Sequence, residues 1–151
     1  MKVEPAFAVP PHIRHGEQEE LQAWFTDPPG AILQLSKPQH FTLEQAEWLV
    51  GPGFEQLCSR FPQGEKLILV LDYRNMTSRD TRARMLMMER ARDIAHTFAH
   101  ITIVPPHQPN PLYRTMLHAA VALVSAFGAP IEIVDSFDEV IARCALRAQI
   151  G

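Results

Sequence analysis

Cysteine is scarce in this chain of 151 residues: there are two, Cys58 and Cys144, with no Cys-x-x-Cys pair and no Cys/His ligand spacing. That excludes a disulfide scaffold and a zinc finger. Both lie in predicted helices and read as buried thiols of a reducing compartment. No apolar run approaches the roughly 18 residues of a membrane span, and the N-terminus lacks the apolar segment of a signal peptide, so no membrane span and a cytoplasmic location are expected. Basic excess is missing too, since the formal net charge is −3, which excludes a generally basic nucleic-acid binder. No Gly-x-Gly-x-x-Gly or Walker loop follows any apolar run, so no nucleotide cofactor of the usual kinds is expected. His96 and His100 have the four-residue spacing of a helical metal pair, but His100 should already be leaving the helix for the next strand and no third ligand accompanies them. No metal site is expected. Nothing assembles a nucleophile, a base and an orienting group, so no catalytic residue is assigned.

What is present is ordinary globular composition, 46% hydrophobic and 21% charged, at a length that supports a single core. Residues 31–35, 66–72, 100–104 and 130–135 are short apolar runs, each followed by a stretch with helical spacing. Strand and helix signals alternating at roughly 30-residue intervals imply βαβ crossovers. The expected fold is α/β: a single domain with a mixed four- to five-stranded sheet and covering helices. Residues 31–151 form its body, and residues 1–30 are an N-terminal extension of the same domain with a short helix.

Local signals place the elements. Residues 6–9 read as an edge strand among prolines. Residues 16–25 read as an amphipathic helix, acidic at its start with Leu21, Trp24 and Phe25 on one side. Thr42 and Gln45 have capping-box spacing, and Leu43, Ala46, Val50, Phe54, Leu57 and Phe61 trace one face of a helix that Gly51, Pro52 and Gly53 must kink. Ser78 or Asp80 is positioned to cap a helix with Ala83, Met87, Ala91, Ile94 and Phe98 inward. Asn110 followed by Pro111 starts another, lined by Leu112, Met116, Ala119, Leu123 and Phe127 and stopped by Gly128. Ser136 and Glu139 form a second capping box.

Charge is unevenly placed. Residues 1–65 hold nine acidic and four basic side chains, whereas residues 66–104 hold four acidic and seven basic. Arg74, Arg79, Arg82, Arg84, Arg90 and Arg92 crowd the turn after the strand at 67–71 and the helix it enters. Guanidinium groups at a helix start beyond a strand's carboxyl end suit phosphate or a partner's carboxylates.

At this turn a resemblance enters. The apolar strand ending in Asp72, the short turn with Met76, and the pair Asp80-Thr81 opening the next helix resemble the sulfate-transporter and anti-sigma-factor-antagonist (STAS, SpoIIAA-like) family. The order of elements matches over residues 31–146. The resemblance implies a non-enzymatic bacterial interaction or regulatory domain that binds a protein partner or self-associates, through Asp72, Arg74, Arg79, Asp80, Thr81, Arg82 and Arg84. In the family's antagonists the hydroxyl residue after the Asp is a phospho-acceptor, a position held here by Thr81. The chain departs from the pattern in having Arg82-Ala83-Arg84 where a small residue and Gly-Leu are usual. Divergent members that resemble both STAS and Sec14-type lipid-transfer domains are the nearer comparison. They point to an alternative role, a small-ligand or lipid carrier with an apolar pocket beneath residues 85–88.

Overall fold

A computed structural model describes residues 3–106, 111–126, 128 and 130–150. Its centre is a mixed sheet, in which the order is β1 (Ile13–His15), β2 (Leu21–Asp27), β3 (Gly30–Leu35), β5 (Leu67–Asp72), β7 (Phe98–Val104) and β8 (Ile131–Ile133). The short β9 (Arg147–Ala148) pairs with β2 as well. From β3 to β8 the neighbours are parallel, while β2 is antiparallel to β1, β3 and β9. A separate parallel pair joins β4 (Gln39–Phe41) to β6 (Met76–Arg79). The helices are α1 (Leu43–Trp48), α2 (Phe54–Arg60), α3 (Thr81–Ile94), α4 (Pro111–Ser125) and α5 (Phe137–Cys144).

The four expected strands are all present, because each is an apolar run that the pleat divides between two covered faces. On one face Leu33, Leu35, Leu71 and Ile103 meet Ala46, Ala83 and Leu117 of the helices α1, α3 and α4. On the other, Ile32, Val70 and Val104 pack on Phe137 and Val140 of α5, with Phe7 beside them. Gly30 is obligatory at the start of β3: a β-carbon there would stand 1.9 Å from the Ile68 carbonyl oxygen of the neighbouring strand. Backbone cannot yield that distance.

Capping chemistry sets the helix starts. Thr42 Oγ1 accepts from Gln45 N, and the Gln45 side chain accepts from Thr42 N, closing the box at α1. The kink expected at Gly51, Pro52 and Gly53 is a π-helical segment, Leu49–Gly53, that joins α1 to α2. At α5 only half of the expected box forms. Glu139 N donates to Ser136 Oγ, but the Glu139 carboxylate turns to Arg143 instead.

Several expectations are corrected. Residues 16–25 are not a helix: Gly16 and Glu19 take positive φ, and residues 21–27 are β2. Leu21, Ala23 and Phe25 face the helices while Trp24 faces Phe7, so period-two burial between two strands overrides the helical spacing. Residues 6–9 form bends rather than a strand; they are held by Ala6 N donating to Gln34 Oε1 and Trp24 Nε1 donating to the Val9 carbonyl. Ser78 lies in β6 and Asp80 is the N-cap residue of α3, although its side chain makes no bond to that helix. Phe98 is buried but opens β7 instead of ending the helix before it; His100 lies in that strand, as expected. The inward face of α4 carries Leu117 and Val121, whereas Leu112 is 68% and Leu123 49% exposed. This helix is apolar nearly all round, so its spacing does not single out one face. Asn110 and Phe127 lie outside the described residues. Leu69 in β5 is half-buried. Cys58 is exposed on α2 and Cys144 half-buried; partial desolvation pushes both thiols above the usual value.

Candidate apolar cavity and the turn that borders it

Between the helical face of the sheet and α3 and α4 lies a cavity of about 150 Å³. Leu69, Leu71, Ile101 and Ile103 form its floor, and Met87, Met88, Leu117 and Val121 its walls. This is the place the methionine run foreshadows, although only two of the four residues enter it: Leu86 joins the core and Met85 is 60% exposed. A second apolar hollow of about 80 Å³ opens below β1, β2 and the π-helical segment, and Leu69, Leu71, Met87, Ile94 and Phe98 line both. Flexible side chains are thus the partition, and methionine is the residue best able to reshape it.

Among the described residues the polar members of the lining are Tyr73, Arg79 and Arg84. Both arginines are half-buried, Arg79 at the end of β6 and Arg84 in the first turn of α3. A guanidinium at the edge of an apolar space is the arrangement that receives an anionic head group while the tail goes inward.

The other residues expected to form a partner surface divide into two groups. Asp72 is 1% exposed: Arg74 binds it through two parallel bonds, Nε to Oδ1 at 2.8 Å and Nη2 to Oδ2 at 2.7 Å, and Gln34 Nε2 donates to Oδ2 at 2.8 Å. The Arg74 guanidinium lies 4.4 Å over the Phe137 ring. These two side chains therefore fasten the end of β5 to α5, on the sheet face away from the cavity, and neither is offered to a partner. Thr81 and Arg82 are exposed at the start of α3. Asp80 lies between the groups. Its Oδ2 accepts from Leu43 N at 3.0 Å, so it caps α1 rather than its own helix, and its Oδ1 lies 2.9 Å from His40 Nε2. Bonding to His40 first, then to Leu43, holds the Asp80 carboxyl below the usual carboxylate range.

His40, which the sequence reading left unassigned, and Ser78, expected there only as a helix cap, complete this corner. His40 and Ser78 are directly opposed in the β4–β6 pair, with His40 Nδ1 2.6 Å from Ser78 Oγ. Their neighbours Phe41 and Arg79 point to the opposite face and line the cavity. Residues 76–79, Met-Thr-Ser-Arg, show no apolar alternation, and four residues are too few to reveal a strand. Among the described residues no three His, Cys, Asp or Glu side chains are grouped to hold a metal ion, and no helix is long and apolar enough to cross a membrane.

No protein-family model matches the chain, and a search of the curated proteins finds no match. Among solved structures it is similar to an uncharacterized protein of the DUF3478 family with a SpoIIAA-like fold from Shewanella loihica PV-4. The two share 10% identity over 76% of this chain and 82% of that one, with a TM-score of 0.53. The parallel β3–β5–β7–β8 core, the crossover helices and that likeness together give this chain a divergent SpoIIAA-like, STAS-type fold.

Proposed function

We propose that this chain binds an apolar or amphiphilic small molecule in its cavity, with Arg79 and Arg84 receiving an anionic head. The observation that carries this reading is the cavity: about 150 Å³, apolar except along the edge where those two arginines stand. Apolar space of that size matches a benzene-sized guest. The unbranched side chains of Met87 and Met88, and the adjoining hollow, allow a longer tail. Among the described residues the lining includes no Ser, Cys, His or carboxylate, which supports binding rather than reaction in this space. Titration with a fluorescent fatty-acid analogue tests the proposal. Saturable uptake is expected that Leu69→Phe abolishes and that replacing Arg79 and Arg84 with Gln weakens for the acid but not for its uncharged methyl ester. Failure of the acid and the ester alike to bind would overturn it.

A second reading, a docking surface for a protein partner, is favoured by the exposure of Thr81, Arg82 and Met85 along the first turn of α3. A phosphate on Thr81 would sit at the positive end of the helix dipole and alter the charge a partner meets, as the antagonist role requires. Intact-mass measurement of the protein from its native cell separates the readings: a phosphorylated fraction that Thr81→Ala removes supports docking, and a co-purifying apolar molecule supports the cavity.

A further inference from the structure

Ser78, His40 and Asp80 lie in one hydrogen-bonded line across the outer face of the β4–β6 pair, with Ser78 Oγ 2.6 Å from His40 Nδ1 and His40 Nε2 2.9 Å from Asp80 Oδ1. Ionised Asp80 only accepts, so it fixes the tautomer that carries hydrogen on Nε2. Nδ1 is then left with its lone pair toward the Ser78 hydroxyl. This is the order of nucleophile, base and orienting acid needed to activate a serine, here with the two ring nitrogens in exchanged roles. Each link has a fixed support: His40 and Ser78 are opposite one another in a strand pair, and Asp80 is anchored by Leu43 N at its other oxygen.

We propose that Ser78 is a nucleophile, with His40 as its general base and Asp80 as a positioning residue, and that the trio cleaves small acyl esters arriving from solvent. Ser78 is exposed and the His40 and Asp80 side chains are nearly half exposed, so the hydroxyl is reachable without any opening of the fold. Arg82, whose charge is felt at Asp80, favours esters that carry a negative group. In the first step Ser78 Oγ bonds to the acyl carbon as its proton passes to His40 Nδ1, and the ester C–O bond breaks with the alcohol leaving and taking that proton. Water then adds to the acyl-serine, giving its proton to Nδ1, and the acid departs as Ser78 recovers its hydrogen. The net change is ester and water to acid and alcohol.

The site is distinct from the cavity, since β4 and β6 turn Phe41 and Arg79 to that side and His40 and Ser78 away from it. Its test is accordingly independent of ligand binding there. The purified chain is treated with a fluorophosphonate probe and digested, and its hydrolysis of p-nitrophenyl acetate is followed. A single phosphonyl adduct on Ser78 is expected, absent from Ser78→Ala, with ester turnover falling about a hundredfold in Ser78→Ala and in His40→Ala. Asp80→Asn keeps an oxygen for Leu43 N but turns an N–H toward His40, which reverses the tautomer; it should lose labelling and kcat with KM little changed. Thermal melts of the four proteins identify any loss caused by unfolding. If a variant fails to fold, the adduct position on the unaltered chain still decides. No adduct on Ser78, or ester turnover unchanged in a folded Ser78→Ala protein, overturns the proposal.

Discussion

Leu69 and Val70 are consecutive in β5 and face two differently built halves of the molecule. Val70 is completely buried among Ile32, Val104 and Phe137, with the Asp72–Arg74–Gln34 clip at the end of the same strand. Leu69 is half-buried because the space above it is a cavity. One face is closed, with its polar groups fully paired; the other is kept open by a single strip of methionines and aliphatic side chains. The difference teaches where stability and where binding reside. Close packing on the α5 side supplies rigidity, and the helical side retains room for a guest because that rigidity holds the floor flat beneath it.

The largest expected effect lies on the closed face. Arg74→Ala would leave the Asp72 carboxylate buried with Gln34 as its remaining side-chain donor, and loss of one partner from a buried pair costs about 3–5 kcal/mol. Arg82, eight residues later and exposed, should change stability by no more than about 0.5 kcal/mol when replaced by Ala. Urea denaturation of the two variants would break the comparison if their midpoints fell together.

Next in size is the adjacent pair itself. Val70→Phe must force a larger side chain into filled space and should cost about 1–3 kcal/mol. Leu69→Phe places its extra atoms in the cavity, and its stability should stay within about 1 kcal/mol of the parent, with the gain of filling offset by local adjustment. Equal destabilisation by the two would mean that the helical face is as tightly filled as the other.

The same contrast governs what could be read in advance. Strands β3, β5, β7 and β8 were legible because a run such as Leu67 to Leu71 has no helical alternative of matching length, and residues 51–53 announce their own irregularity. The segment at 21–27 was not, since Leu21, Trp24 and Phe25 satisfy a helix locally and only pairing with β3 and β1 decides otherwise. In the candidate site, the methionine run was read as the cover of a pocket and Arg79 and Arg84 as a partner surface rather than as cavity lining, whereas Asp72 and Arg74 were taken for surface. Burial of a charged pair depends on Phe137, more than sixty residues away, and leaves no local mark. His40 and Ser78 were hidden for a similar reason, being joined by a parallel pairing of two very short strands.

The smallest effect concerns the two acids that end consecutive strands. Asp72 is enclosed on the α5 side, while Asp80 stands in solvent with its charge held by His40 and the Leu43 N–H. Because these bonds lower the Asp80 pKa in the folded chain, the acid binds fewer protons there than in the unfolded chain, and stability follows that difference. The contribution is fully present above the ordinary aspartate value of about 4 and disappears as pH falls through the lower, folded value. Asp80→Asn retains an acceptor for Leu43 but has no charge to titrate, so the melting temperatures of parent and variant should differ near neutrality and converge on acidification. A gap that stays constant from about pH 7 to pH 2 would show that the Asp80 charge is not what joins β6 to the start of α1.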